Sequence, residues 1–80
     1  MLWSVREFAK HYGIGRNTFY KMLREDKILD YYNKPYRETM KYFEVEEVEI
    51  SSWMWTDVTR INEDGVEFLC SWLKRKGYDV

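Results

Sequence analysis

The sequence predicts an α+β domain with a short strand, a two-strand β-hairpin and a closing C-terminal helix. Three observations carry that prediction. Two short amphipathic stretches, "WSVREFAKHY" and "GIGRNTFYKMLRED", meet across a glycine. The segment "YFEVEEVEISSWMWTDVTRI" then alternates with the period of paired strands. Finally, "INEDGVEFLCSWLKRKG" places an apolar helical stripe behind a capping asparagine.

Ser4 and Glu7 fit the S-x-x-E capping box, in which each side chain satisfies the other residue's free backbone N–H, so a helix starts there. Val5, Phe8 and Ala9 share one face at i, i+3, i+4 spacing. Gly13 ends this helix in a left-handed conformation that other residues adopt only at a cost. A second helix is expected over about residues 15–25, with Phe19, Met22 and Leu23 turned inward and Ile14 packed in the turn. Two short helices joined by such a turn are the helix-turn-helix pattern.

Ile28 and Leu29 read as a short strand, and Asn33-Lys34-Pro35 as a turn. Residues 36–41 hold one irregular or helical turn. In the strand over 42–50, Phe43 and Val45 fall on one phase and Val48 and Ile50 on the other. A bulge near Glu46-Glu47 would bring both pairs onto one face. Residues 53–61 form the returning strand, with the tip between Glu49 and Trp53. Trp53, Trp55 and Asp57 lie on one of its faces, Met54, Thr56 and Val58 on the other. Asn62 caps the last helix, whose stripe is Val66, Leu69, Trp72 and Leu73 with Phe68 beside it. Lys74, Arg75 and Lys76 suit its C-terminal end, and Gly77 stops it. The order is that of a winged helix-turn-helix with an added closing helix, and residues 1–80 form a single domain.

The chain is 45% hydrophobic and 19% aromatic, enough for a core of large rings. A lone cysteine, Cys70, forbids an internal disulfide, and one Cys with one His cannot assemble a metal cluster, so no cofactor is expected. No run approaches the roughly 18 apolar residues that span a bilayer, and a cytosolic setting is expected. No phosphate-binding glycine loop, nucleophile elbow or metal-ligand spacing is present, which points away from an enzyme. The net charge of −1 hides an asymmetry: residues 1–41 carry nine basic and five acidic side chains, residues 42–80 four and nine. A near-neutral total therefore leaves room for a local basic face.

Candidate functional residues follow from that asymmetry. On the second helix, Arg16 suits guanine and Asn17 suits adenine by paired hydrogen bonds. Thr18, Tyr20, Lys21 and Arg24 suit phosphates or base edges. Lys10, Lys27, Lys34, Arg37 and Lys41 would neutralise the backbone. Tyr31, Tyr32 and Tyr36 cluster around the turn, where stacking on sugars or bases competes with core packing. A second surface is acidic. Glu44, Glu46, Glu47 and Glu49 repel DNA, and either blunt a sheet edge against aggregation or dock a basic protein. Trp53, Met54 and Trp55 near the tip are of the types enriched at interaction hot spots; folding back toward Trp72 is the alternative. His11 reads as a helix-end residue and Cys70 as a small core residue.

"WSVREFAKHYGIGRNTFYKMLREDKIL", "NKPYRETMKYFEV" and "VTRINEDGVEFL" together resemble the KilAC domain, the C-terminal module of phage antirepressor proteins. The "GIGRN" turn, "LRE" before a short strand, "N-x-P-Y" and the following "YFEV" carry the resemblance, which covers almost the whole chain. Arg37 stands where the family has Gln, and the loop "SSWMWTD" is unusually aromatic for it. The resemblance implies phage or prophage origin, a place in the cytoplasm of the bacterial host cell, a DNA-binding type of fold and a role in regulating phage genes. The first expectation is thus an antirepressor-like regulator that reads duplex DNA with residues 15–25. The alternative is a phage protein-binding inhibitor, an antirepressor or an anti-host-defence protein of the anti-CRISPR kind, docking a host or repressor protein. A homodimer is compatible with both.

Overall fold

A computed structural model describes residues 2–80. Three helices and a three-stranded antiparallel sheet follow in the order β1 (Trp3–Ser4), α1 (Val5–His11), α2 (Arg16–Glu25), β2 (Phe43–Ser51), β3 (Met54–Ile61) and α3 (Glu63–Arg75), with a 3₁₀ turn at Met40–Tyr42 before β2.

Local signals place the helices. The Ser4–Glu7 box closes at both ends, with Glu7 N–H donating to Ser4 Oγ at 3.0 Å. Asn62 Oδ1 accepts from the Gly65 N–H at 2.8 Å. All three helices end in the same way: the residue after the cap is left-handed, and the next N–H bonds back across six residues. Ile14 bonds to Ala9, Ile28 to Leu23 and Tyr78 to Leu73. Glycine holds the left-handed place after α1 and α3, at Gly13 and Gly77; after α2 it is Lys27, at φ 56°.

The core is one cluster. Phe8 of α1 stacks on Phe19 of α2 at 5.7 Å between ring centres, and Phe19 meets Trp72 of α3 at 6.1 Å. Leu23, Leu29, Phe43, Ile61, Leu69 and Leu73 fill the space between them. Trp72 donates its indole N–H to Asp26 Oδ2 at 2.6 Å, and Lys76 pairs with the same oxygen at 2.9 Å, fastening α3 to the end of α2. Thr39, buried, donates its hydroxyl to the Ile28 carbonyl at 2.8 Å and fixes the segment leading into β2.

Two sequence expectations are corrected. The third strand is not Ile28–Leu29, which forms only an isolated bridge from Leu29 to Pro35. It is Trp3–Ser4, paired with Ile61 and Arg60 in the sheet order β1-β3-β2. The Trp3 ring lies against Phe8 and His11 and so brings β1 alongside β3. Nor is there a bulge at Glu46-Glu47. Pairing runs unbroken from Phe43↔Ile61 to Glu49↔Trp55, and the irregularity falls between Glu49 and Ser51. A bulge at Glu46-Glu47 would turn every apolar residue of β2 toward a core. The outer half of the hairpin has no core beneath it, so Val45 and Ile50 stay exposed.

Candidate nucleic-acid interface

Helix α2 has the division its sequence demands. Phe19 and Leu23 are buried, Met22 and Tyr20 half-buried, and Arg16, Asn17, Thr18 and Lys21 exposed. Among the described residues those four exposed side chains enter no ion pair or side-chain hydrogen bond. Gly15 caps the helix without a side chain, so neither Arg16 nor Asn17 is spent on capping. Burial pushes the Tyr20 phenol above its usual range, an effect that Arg16 and Arg24 oppose. Arg24 differs from its neighbours: half-buried, it donates from Nη1 to Asn33 Oδ1 at 3.2 Å.

The loop after α2 is tightly specified. Asp30 Oδ1 accepts from the backbone N–H groups of Tyr32 and Lys34 at 2.8 and 3.0 Å, an Asx arrangement that closes the turn. Asn33, left-handed at φ 61°, bonds α2 through Arg24, while its carbonyl accepts from Thr59 Oγ1 of β3 at 2.7 Å. One asparagine therefore ties the second helix to the hairpin. The turn so held presents Tyr31 and Tyr32 at 88% and 83% exposure, which decides against core packing for both. Lys34, grouped with the backbone-neutralising cations in the sequence, pairs instead with Asp57 at 2.7 Å; that carboxylate holds its ammonium group above the usual lysine range. Lys27 and Arg37 are exposed without an ion pair among the described residues.

The hairpin carries a different chemistry. Residues opposite each other share a face, so Glu47, Asp57, Glu49 and Trp55 continue the face that buries Phe43 and Ile61 at its base. Beyond the core this face turns toward Tyr32 and Lys34. Glu44 and Glu46 lie on the opposite face, where Glu46 pairs with Arg60 at 3.2 Å and Glu44 accepts a long hydrogen bond from Asn62 Nδ2 at 3.4 Å. Trp53 at 76% and Trp55 at 56% exposure, with Met54, do not fold back; Trp72 belongs to the core between α2 and α3.

Sequence reasoning placed Asn33 in the turn but missed its bonds to Arg24 and Thr59, and it missed Asp30 and Thr59 themselves. The Asp-x-x-Asn spacing of Asp30 and Asn33 is a turn signal and could have found Asp30; nothing in the sequence marks Thr59. Cys70 is half-buried with its sulfur 3.3 Å from the Tyr12 hydroxyl, and that hydrogen bond raises the tyrosine above its usual pKa. Among the described residues no cluster of His, Cys, Asp and Glu could hold a metal ion, and no helix is long and apolar enough to cross a membrane.

The architecture and this face define a small α+β domain that displays an unpaired, positively charged helix beside a rigid aromatic turn. Comparison with protein families makes the assignment specific. The chain belongs to the KilAC domain family of phage antirepressor proteins, whose model matches residues 1–76, and that family is regulatory and non-enzymatic. No curated protein and no solved structure matches the chain.

Proposed function

We propose that the domain is a winged helix-turn-helix regulator that reads duplex DNA, with α2 in the major groove. One observation carries this reading: Arg16, Asn17 and Lys21 stand free in solvent on a helix whose other side is anchored by Phe19 and Leu23. Side chains of these types at the start of a recognition helix reach base edges and phosphates. Membership of an antirepressor family agrees with it. A single module of this size gives limited specificity, and a homodimer through the hairpin or α3 would double the footprint. The test is a titration with duplex DNA from the phage's own regulatory region, and a random duplex of equal length, at two salt concentrations. Affinity is expected to fall with salt at a log–log slope of about −0.9 per phosphate contact. Absence of binding at low salt, or a flat salt response, refutes the reading.

A second reading rests on the hairpin tip. Trp53 and Trp55 are exposed beside Met54, with Glu47 on the Trp55 face of the hairpin and Glu44 and Glu46 on the other face. Such a surface suits a basic host or repressor protein. Partners retained from a nuclease-treated host lysate by the wild type, and lost by a Trp53→Ala, Trp55→Ala double variant, would support it. Loss of every partner on nuclease treatment would count against it.

A further inference from the structure

We propose that a DNA strand follows the groove between α2 and Tyr31, with Lys27 seating a phosphate at its end, and that the Tyr31–Tyr32 turn shuts the strand off from the hairpin. This rests on the duplex-reading role proposed above and specifies the path of the backbone.

The first support is the chemistry on either side of the turn. On the Tyr31 side the groove is lined by Lys21, Arg24 and Lys27, together with Tyr31 and Tyr36. Two carboxylates also line it. Asp30 already accepts two backbone N–H groups with one oxygen, and Glu25 is exposed on α2. Three cations exceed two carboxylates, so the groove attracts phosphate. On the other side of the turn, Tyr32 shares a cavity with Trp55, Glu47 and Asp57, whose lining cation, Lys34, is neutralised by Asp57; Arg6 lines an adjoining cavity. A phosphate chain crossing the turn would meet the Glu47 carboxylate, which Lys34 leaves uncompensated. The turn itself is braced by Asp30 and by the Arg24–Asn33–Thr59 chain, so it stands as a fixed ridge.

The second support is Lys27. The same helix ending occurs three times in the molecule, and glycine takes the left-handed place in the other two. A side chain there is strained by the approach of Cβ to the carbonyl, which glycine avoids. Nothing in the fold uses the Lys27 side chain: it is exposed and has no ion pair among the described residues. Strained residues cluster at ligand-binding sites, and a ligand outside the fold would account for this one.

The test uses the full chain and a short duplex at several salt concentrations. Lys27→Gly preserves the helix ending and is expected to fold with a melting temperature about 4 °C higher. It should nevertheless bind duplex about eightfold more weakly at about 0.1 M salt, with the log–log slope shallower by about 0.9, the loss of one phosphate contact. Tyr31→Ala should weaken binding about fivefold, as for one hydrogen bond, with the slope unchanged. Tyr32→Ala and Trp55→Ala should bind as the wild type does. Lys27→Gly with wild-type affinity and slope overturns the proposal, as does a Tyr32→Ala loss equal to that of Tyr31→Ala. A wild type that binds no duplex at low salt removes both this proposal and the reading beneath it. Binding by the wild type with unaltered Lys27 and Tyr31 variants removes only the strand path.

Discussion

Gly65, in the first turns of α3, is the position where one added methyl group should do most harm. Its N–H meets the Asn62 cap, and α3 passes so close to the end of the 3₁₀ turn that a Cβ would overlap the carbonyl oxygen of Tyr42. The same Cβ would lie 2.8 Å from Ile61 Cγ2 and 3.1 Å from the Tyr42 carbonyl carbon. The obstructing oxygen is backbone and already accepts from the Asn62 N–H at 3.1 Å, so it cannot swing aside as a flexible side chain would. Three contributions set the net effect. Alanine gains about 1 kcal/mol over glycine within a helix. Forced repacking against an unyielding neighbour costs about 3 kcal/mol, and losing the Asn62–Tyr42 bond costs about 1 kcal/mol more. Gly65→Ala is therefore expected to destabilise by about 3 kcal/mol, lowering the melting temperature by roughly 12–24 °C for a domain of this size. Urea unfolding followed by tryptophan fluorescence measures it. Gly15→Ala is the control, because a Cβ there meets only Thr18 Oγ1 at an ordinary 3.7 Å; it should cost no more than about 1 kcal/mol. A Gly65→Ala protein as stable as the wild type, or more so, would show that helix propensity decides this site and that close packing does not.

Further outcomes follow from the same contacts. Asn33→Ala loses both a residue tolerant of the left-handed region and the acceptor for Arg24, so denaturant unfolding should show a loss of about 2 kcal/mol. Asn33→Gly, which keeps the backbone geometry, should lose about half as much, and equal stability of the two variants would contradict the account. The hydrogen bonds from Lys76 and then Trp72 hold the Asp26 carboxyl below its usual pKa. A depressed acid contributes stability above its unfolded pKa, and that contribution disappears as pH falls through the folded value, below about pH 4. Asp26→Asn should thus be less stable than the wild type at neutral pH, and the gap should close in acid; a gap independent of pH would refute the assignment. Trp53→Ala and Trp55→Ala remove exposed rings and should change unfolding stability by less than about 0.5 kcal/mol, whatever they do to partner binding.

What could be read in the sequence was what local chemistry determines. The Ser4–Glu7 box, the Gly13 and Gly77 helix ends, the Asn62 cap and the inward set Phe19 and Leu23 each depend on residues within a few positions of one another. Features that depend on distant partners were not legible. Trp3–Ser4 is too short to show a period and becomes a strand only because β3 lies beside it. The left-handed Lys27 carries no mark of its conformation, since its residue type argues against it. A bulge at Glu46-Glu47 is needed only where a hairpin buries all its apolar residues, whereas this one extends beyond its core. On the candidate face, residue types identified Arg16, Asn17 and Lys21 as free. Only three-dimensional contact showed that Lys34 is claimed by Asp57, and that Tyr31 and Tyr32 are displayed on a turn braced by Asn33.

The extended hairpin has a kinetic consequence. Antiparallel pairing continues outward from Val45↔Thr59 to the tip, while β1 covers β3 only at Arg60 and Ile61. Amide hydrogens of the distal rungs should therefore exchange with solvent through brief local separation of two ribbons, long before the helices open. Unfolding is expected to begin at that end, and any protein that grips the tip would damp the fraying as it binds.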